Sequence, residues 1–169
     1  MKIVIGAVLL AATQAATAAP APPCMTKAEF TDLSLFVLPA LLEGAANKCQ
    51  ALLPPDAYLP TGGRALAARL AAESDTHADG ATTAFAKFGD GKLPDGISGD
   101  TVGRFVRDMA RTAPFKQISA RECAQIDEAA ALLAPLPPQN LANLVRLILI
   151  ASSKKDKNPP VRFCPTEAM

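Results

Sequence analysis

The stretch TKAEFTDLSLFVLPALLEGAANKC, residues 26–49, decides the fold. It opens with Thr26 and Glu29 at the spacing of a capping box, in which both side chains bind backbone donors at a helix start. Apolar residues then recur every three or four positions, as on one face of an α-helix. The members of this stripe are Phe30, Leu33, Val37, Leu41, Ala45, Cys49 and Leu52. The pattern predicts a long helix that Pro39 kinks or divides in two, because proline removes a backbone donor.

The same period returns along the rest of the chain. Further helices are predicted over residues 64–74, 76–88, 100–112, 119–133 and 139–152. Their boundaries carry proline, glycine or capping residues, and no alternating run is long enough to indicate a strand. The sequence therefore predicts an all-α, single-domain bundle of five or six short helices joined by proline-rich turns.

The helix predicted over residues 100–112 is amphipathic. The side chains expected to point inward are Val102, Phe105, Val106 and Met109. The opposite face carries Arg104, Arg107 and Arg111. We consider two interpretations of this face: a surface for an acidic partner, or a solvated face paired with Asp100 and Asp108, which the spacing favours.

The last predicted helix, residues 139–152, is apolar on nearly every side. Such a helix is usually central in a bundle, and we expect this position here. At 14 residues it is shorter than the roughly 20 needed to span a bilayer. Asn140 and Asn143 stand near its start, where capping of backbone donors explains them more simply than hydrogen bonds into a ligand cavity.

The N-terminus resembles a secretory signal peptide. Lys2 is followed by an apolar run over residues 3–12, and Ala16-Thr17-Ala18 fits the cleavage pattern. We predict a signal peptide over 1–18, an extended lead over 19–25, the helical domain over 26–164 and a tail over 165–169. The run is too short for a membrane anchor. The protein is thus expected to be periplasmic or secreted, without a membrane span in the mature chain.

Charge and composition exclude several classes of protein. The chain has 17 basic and 16 acidic residues, and cleavage after residue 18 removes Lys2, leaving equal numbers. A neutral protein lacks the long-range attraction that nucleic acids require, so no nucleic-acid partner is expected. One histidine, His77, is too few for a histidine-ligated metal centre. We predict neither a metal nor a cofactor.

Export makes the four cysteines informative, because an even number in an oxidising compartment indicates disulfides. A helix from Cys24 to Cys49 would hold them roughly 35 Å apart, beyond the ~6 Å that a disulfide allows. Cys49 and Cys123 both lie on apolar helical faces, whereas Cys24 and Cys164 lie near the chain ends. We predict the pairs Cys49–Cys123 and Cys24–Cys164.

The candidate sites for chemistry are few. His77 stands among Ser74, Asp75, Thr76 and Asp79, a set that fits a catalytic triad but fits the capped start of a helix better. No nucleophile motif accompanies it. We therefore interpret these residues as caps and name no catalytic residue.

Two loops carry weaker patterns. Asp90, Asp95 and Asp100 follow glycine-rich turns, but their order departs from that of calcium-binding loops, which favours a solvated turn. Residues 61–64, TGGR, precede a helix whose free amides could receive an anion, although the glycine pattern of a phosphate-binding loop is incomplete. Tyr58 is expected to anchor the preceding loop by its ring.

Two functions are compatible with these patterns. The first is an exported α-helical protein that binds a protein partner or an apolar small molecule without catalysis. The second is a hydrolase of the cell envelope that uses a pair of carboxylates, as glycosidases do without any histidine. Its candidate acids are Glu73, Asp75, Asp79 and Asp95. The absence of a nucleophile, metal or cofactor motif favours the binding protein.

Overall fold

A computed structural model describes residues 24–87, 98–153 and 161–165, and within these ranges the chain forms six α-helices. Their bounds are Lys27–Cys49 (α1), Arg64–Ser74 (α2), Ala78–Ala86 (α3), Gly99–Thr112 (α4), Ala120–Leu133 (α5) and Pro138–Ser153 (α6). The only β-type pairing in the described residues is an isolated parallel bridge between Met25 and Phe163. The predicted all-α bundle is confirmed.

Helix α1 is the axis of the bundle, and all five of the other α-helices contact it. It begins at the predicted capping box, in which the Thr26 hydroxyl accepts from the Glu29 amide and the Glu29 carboxylate accepts from the Thr26 amide. It then continues through Pro39 to Cys49 as one helix, so of the two predicted outcomes at Pro39, a kink or a division, the division does not occur. Pro39 is buried, and the residues on both sides of it pack into the core, which offsets the missing backbone hydrogen bond.

The core consists of three apolar clusters along α1. Near its start, the aromatic and aliphatic side chains of α1 meet α3 and α4. These residues include Phe30, Leu33, Phe36, Ala81, Ala84, Val102 and Val106. Near its end, Ala45 and Cys49 pack with Leu59, Phe115 and Cys123. A third cluster joins Leu66 and Leu70 of α2 to Leu141 of α6.

Both predicted disulfides are confirmed. Cys49 and Cys123 are fully buried and join α1 to α5 across 74 positions. Cys24 and Cys164 are half-buried and connect the two ends of the helical domain across 140 positions. Beside this second disulfide, the Met25 amide donates to the Arg162 carbonyl and the Cys164 amide donates to the Met25 carbonyl. The chain ends are therefore attached to each other by covalent and hydrogen bonds.

Two expectations about helix faces are wrong. In α4, Phe105 and Met109 are exposed rather than buried, because the helix packs on α1 through a narrow stripe that holds Val102, Gly103 and Val106. Helix α6 is peripheral rather than central. It buries Leu141 and Ala142 but leaves Leu147 and Ile148 more than half exposed. The central position is taken by α1, so α6 can bury only one side.

The connection between α2 and α3 also differs from the expectation. A capped helix start was predicted at Thr76, but a 3₁₀ turn over Asp75–His77 leads from α2 directly into α3. The Thr76 hydroxyl donates to the Glu73 carbonyl, and His77 makes no capping hydrogen bond. Because the backbone stays helical through this turn, the amides at the start of α3 do not depend on the predicted side-chain caps.

Some sequence-based predictions lie outside the described residues. They are the signal peptide over 1–18, residues 19–23 of the lead, Asp90 and Asp95 with the loop around them, and residues 166–169 of the tail.

Candidate functional site

An open groove of about 690 Å³ lies between α3 and α4. Phe36 of α1 contributes to its lining, together with Ala78, Asp79 and Thr82 of α3 and several residues in the first two turns of α4. This volume falls within the roughly 300–1,000 Å³ that is typical of small-molecule sites. The groove is therefore the candidate binding site of the described residues.

Two glycines of α4 shape the groove. A Cβ atom at Gly103 would lie 3.1 Å from Cζ of Phe36, so the glycine allows α4 to approach the buried ring closely. A Cβ atom at Gly99 would meet no atom of the described residues within 4 Å. The first glycine sets the distance between α4 and α1, and the second leaves one side of the groove unobstructed.

Arg107 forms a wall of the groove and has its own partners inside the protein. Its guanidinium lies 3.9 Å from the centre of the Phe36 ring, a cation–π contact. The same group donates to Asp75 at 2.6 Å and to the hydroxyl of the buried Ser74 at 3.1 Å. Arg107 and Asp75 therefore neutralise each other where α4 meets the α2–α3 turn.

The other two arginines of the predicted partner face behave differently. Arg111 pairs with Glu43 of α1 at 2.9 Å and with Asp108 at 3.2 Å. Arg104 lines the groove, and its hydrogen bond to the Thr101 hydroxyl is long, at 3.5 Å. The predicted pairing with Asp108 is therefore present for Arg111, whereas Arg104 and Arg107 belong to the groove.

Free carboxylates line both walls of the groove. Asp79 lies in the first turn of α3 and Asp100 in the first turn of α4. Among the described residues, neither forms an ion pair within 4.0 Å. Asp100, which the sequence placed where the glycine-rich loop meets the helix over residues 100–112, thus lines the same groove as Asp79 of α3.

His77 and its neighbours do not form a triad. The His77 Nδ1 atom lies 2.7 Å from Asp32 Oδ1, so this side chain joins the α2–α3 turn to α1. The Ser74 hydroxyl is buried, donates to the Ala71 carbonyl and accepts from Arg107, which leaves it without the exposed position that a nucleophile needs. The interpretation as helix caps is also wrong for Ser74 and His77, because neither side chain makes a capping hydrogen bond.

The acids proposed for a hydrolase are dispersed. Asp75 and Asp79 line the groove, but Asp75 is bound by Arg107. Glu73 is exposed and lies 3.5 Å from the amide nitrogen of Gln139. In the part of the chain that the structure describes, no three histidine, cysteine or acidic residues cluster closely enough to hold a metal ion.

Comparisons with protein-family models, with curated proteins and with solved structures find no match to this chain. Over residues 24–87, 98–153 and 161–165, none of the helices combines the length and the apolar character required to cross a bilayer.

Residues 61–64 do not stand at a free helix start, as the anion site considered from the sequence would require. Leu59–Gly63 form a π-helical turn that runs into α2. The amides of Tyr58 and Leu59 donate to the carboxylate of Asp127 in α5. The Tyr58 ring packs in the core beside Gly62, as its predicted anchoring role requires.

Sequence reasoning missed the central features of the groove. Phe36 was not part of the predicted apolar stripe, and Gly99 and Gly103 received no role. A glycine inside the apolar stripe of a predicted helix, as at Gly103 between Val102 and Val106, was the available signal, because it permits close packing against a neighbouring side chain. Asn140 and Asn143 also differ from the expectation. Helix α6 begins at Pro138, and Asn143 Oδ1 is buried without a hydrogen-bond partner among the described residues.

Proposed function

We propose that this chain is an exported α-helical binding protein that holds a small polar ligand in the groove between α3 and α4. The observation that carries the proposal is the groove itself, with an apolar floor at Phe36 and charged groups on both walls. Ligand sites commonly combine an apolar lining with a few placed polar groups. The charged walls favour a polar ligand over the apolar molecule considered from the sequence.

Export is supported by the two disulfides. Disulfides persist in oxidising compartments and are rare in the reducing cytosol. The pattern of residues 1–18 supplies a route to the periplasm or the exterior. N-terminal sequencing of the protein purified from an exporting cell tests this part of the proposal. A mature chain that begins near Ala19 supports it, and an uncleaved Met1 contradicts it.

Two features of the groove favour binding over the carboxylate hydrolase, although Asp79 and Asp100 form no ion pair among the described residues and are the two acids that such an enzyme would use. Asp75 is neutralised by Arg107, and the Ser74 hydroxyl is committed to two hydrogen bonds. A hydrolase would need one carboxylic acid and one free carboxylate placed about 5–10 Å apart across a scissile bond. Substrate turnover that disappears in Asp79→Asn would replace the binding proposal with the enzymatic one.

The binding proposal is tested by filling the groove. Gly99 lines the groove, and a Cβ atom there meets none of the described residues within 4 Å, so a leucine at this position would extend into the groove. Native mass spectrometry of the exported protein is expected to show a bound small molecule in the wild type and none in Gly99→Leu. Ala124→Leu, on the exposed face of α5, is the matched control and is expected to retain the ligand. A wild-type protein without a bound mass contradicts the proposal.

A further inference from the structure

We propose that the groove binds a free basic amino acid. This inference rests on the proposed function and adds the charge of the ligand. Within the described part of the chain, two carboxylates and one guanidinium that line the groove form no ion pair: Asp79, Asp100 and Arg104. These three groups define the chemistry that a ligand must complement.

The charges on α4 stay apart although their spacing permits pairing. Asp100 and Arg104 are four positions apart, which places them on the same face of the helix, where an acid and a base commonly pair. Arg104 instead donates to Thr101, and no ion pair with Asp100 forms. Both charges line the groove and are available to a ligand.

The remaining charged residues of the groove do not change this balance. Arg107 and Asp75 form an ion pair of 2.6 Å and contribute no net charge. The described residues of the lining therefore present an excess of one negative charge, distributed as two unpaired acids and one unpaired base. A purely anionic ligand would meet two carboxylates, and a ligand with one cationic group would leave one carboxylate unmatched.

A basic amino acid supplies the complementary set. Its α-ammonium and its side-chain cation match the two carboxylates, and its α-carboxylate matches the guanidinium of Arg104. Arginine can bind a carboxylate in a bidentate manner, which adds orientation to charge. The methylene groups of the ligand would lie toward Phe36 and Ala78, the apolar side chains among the described lining residues.

Titration calorimetry with three probes tests the inference. We expect the dialysed mature protein to bind L-arginine, to bind L-arginine methyl ester more weakly, and to bind L-glutamate not at all. Arg104→Gln is expected to weaken L-arginine binding by roughly tenfold or more, the loss of one charge-assisted contact. The same substitution is expected to leave the methyl ester unchanged, because the ester has no carboxylate. Arg121→Gln, on exposed α5, is the control and should alter neither.

The role of the two carboxylates is tested by Asp79→Asn and Asp100→Asn. Each substitution is expected to weaken the binding of L-arginine and of its methyl ester by roughly tenfold or more. Thermal melts confirm that each variant is folded, and Gly99→Leu blocks the groove without changing any charge. If Arg104→Gln weakened the binding of L-arginine and of its methyl ester equally, the inference would be wrong. If L-arginine does not bind but the exported protein carries a ligand that Gly99→Leu removes, the inference that the ligand is a basic amino acid is wrong. The proposed binding function is then unaffected. Failure of both experiments overturns the proposed function as well.

Discussion

The carboxylate of Asp127 in α5 accepts a hydrogen bond of 2.6 Å from the backbone amide of Leu59, a residue 68 positions earlier. A second oxygen of the same carboxylate accepts from the Tyr58 amide at 3.2 Å. Leu59 is almost fully buried, so water has little access to its amide. One side chain thus supplies the hydrogen-bond partners of the turn that begins α2 and attaches it to α5.

Replacing Asp127 with alanine is expected to destabilise the protein by about 1–3 kcal/mol, because buried donors would lose their acceptor. Urea denaturation measures the free energy of unfolding. Glu128→Ala, on the exposed side of the same helix, is the control and should change it by less than about 0.5 kcal/mol. An equal loss in both variants would show that the carboxylate has no special role.

Two glycine-to-alanine substitutions are expected to differ in their effect on stability. A Cβ atom at Gly44 in α1 would collide with the backbone carbonyl of Arg111 in α4 and would lie 2.8 Å from the Phe115 ring. Gly44→Ala should therefore cost about 1–3 kcal/mol despite the higher helix propensity of alanine. Gly99→Ala meets no neighbour and should leave stability unchanged or raise it. Thermal melts of the two variants make the comparison, and a shift of the same sign in both would contradict it.

Glu29 is expected to make stability depend on acidic pH. Burial raises the pKa of Glu29, but hydrogen bonds from Lys87 at 2.6 Å and from Thr26 bring this pKa below its ordinary value of 4.5. A lowered pKa in the folded state contributes stability above the unfolded value, and this contribution is lost as the pH falls through the folded value. Glu29→Gln should therefore flatten the dependence of unfolding free energy on pH below about 5.

The matched control for Glu29 is Glu128→Gln, since Glu128 is exposed on α5. Its curve of stability against pH is expected to follow that of the wild type. If Glu29→Gln also follows the wild type through the acidic range, the ion pair with Lys87 does not account for acid sensitivity.

The two disulfides are expected to differ in their resistance to reduction. Cys49 and Cys123 have no exposed surface, whereas Cys24 and Cys164 are half-buried. A reductant thiolate must reach a sulfur atom, so limited reduction should open Cys24–Cys164 first. Alkylation followed by peptide mapping identifies the reduced pair. The reverse order would show that local opening, rather than static exposure, controls access.

Loss of the Cys24–Cys164 disulfide is also expected to lower stability. The chain-entropy relation gives about 4–5 kcal/mol for a loop of this size, and the Met25–Phe163 pairing would lose its covalent support. Urea denaturation of a Cys24→Ser, Cys164→Ser double variant measures the effect. An unchanged midpoint would show that packing at the chain ends is sufficient without the crosslink.

The sequence by itself determined the helices and the disulfide pairs. The capping boxes at Thr26 and Ser119 act between residues three positions apart, so their hydrogen bonds follow from local chain geometry. The rise of a helix excluded a disulfide between Cys24 and Cys49, which left two possible pairings. The apolar helical faces of Cys49 and Cys123 then favoured the pairing that the structure has. These predictions succeeded because helix geometry and the apolar pattern can both be read along the chain.

Only the tertiary structure decided which side chains are buried and which charged groups have a partner. Pro39 stays inside one helix because both of its flanks are buried, and Phe105 is exposed because α4 packs through a narrower stripe than its pattern predicts. Arg107 meets Asp75 across 32 positions, while Arg104, one turn earlier, keeps an unpaired charge in the groove. Periodicity specifies the side of a helix on which a residue lies. It does not specify the neighbouring helix, and the partner of each charge depends on that neighbour.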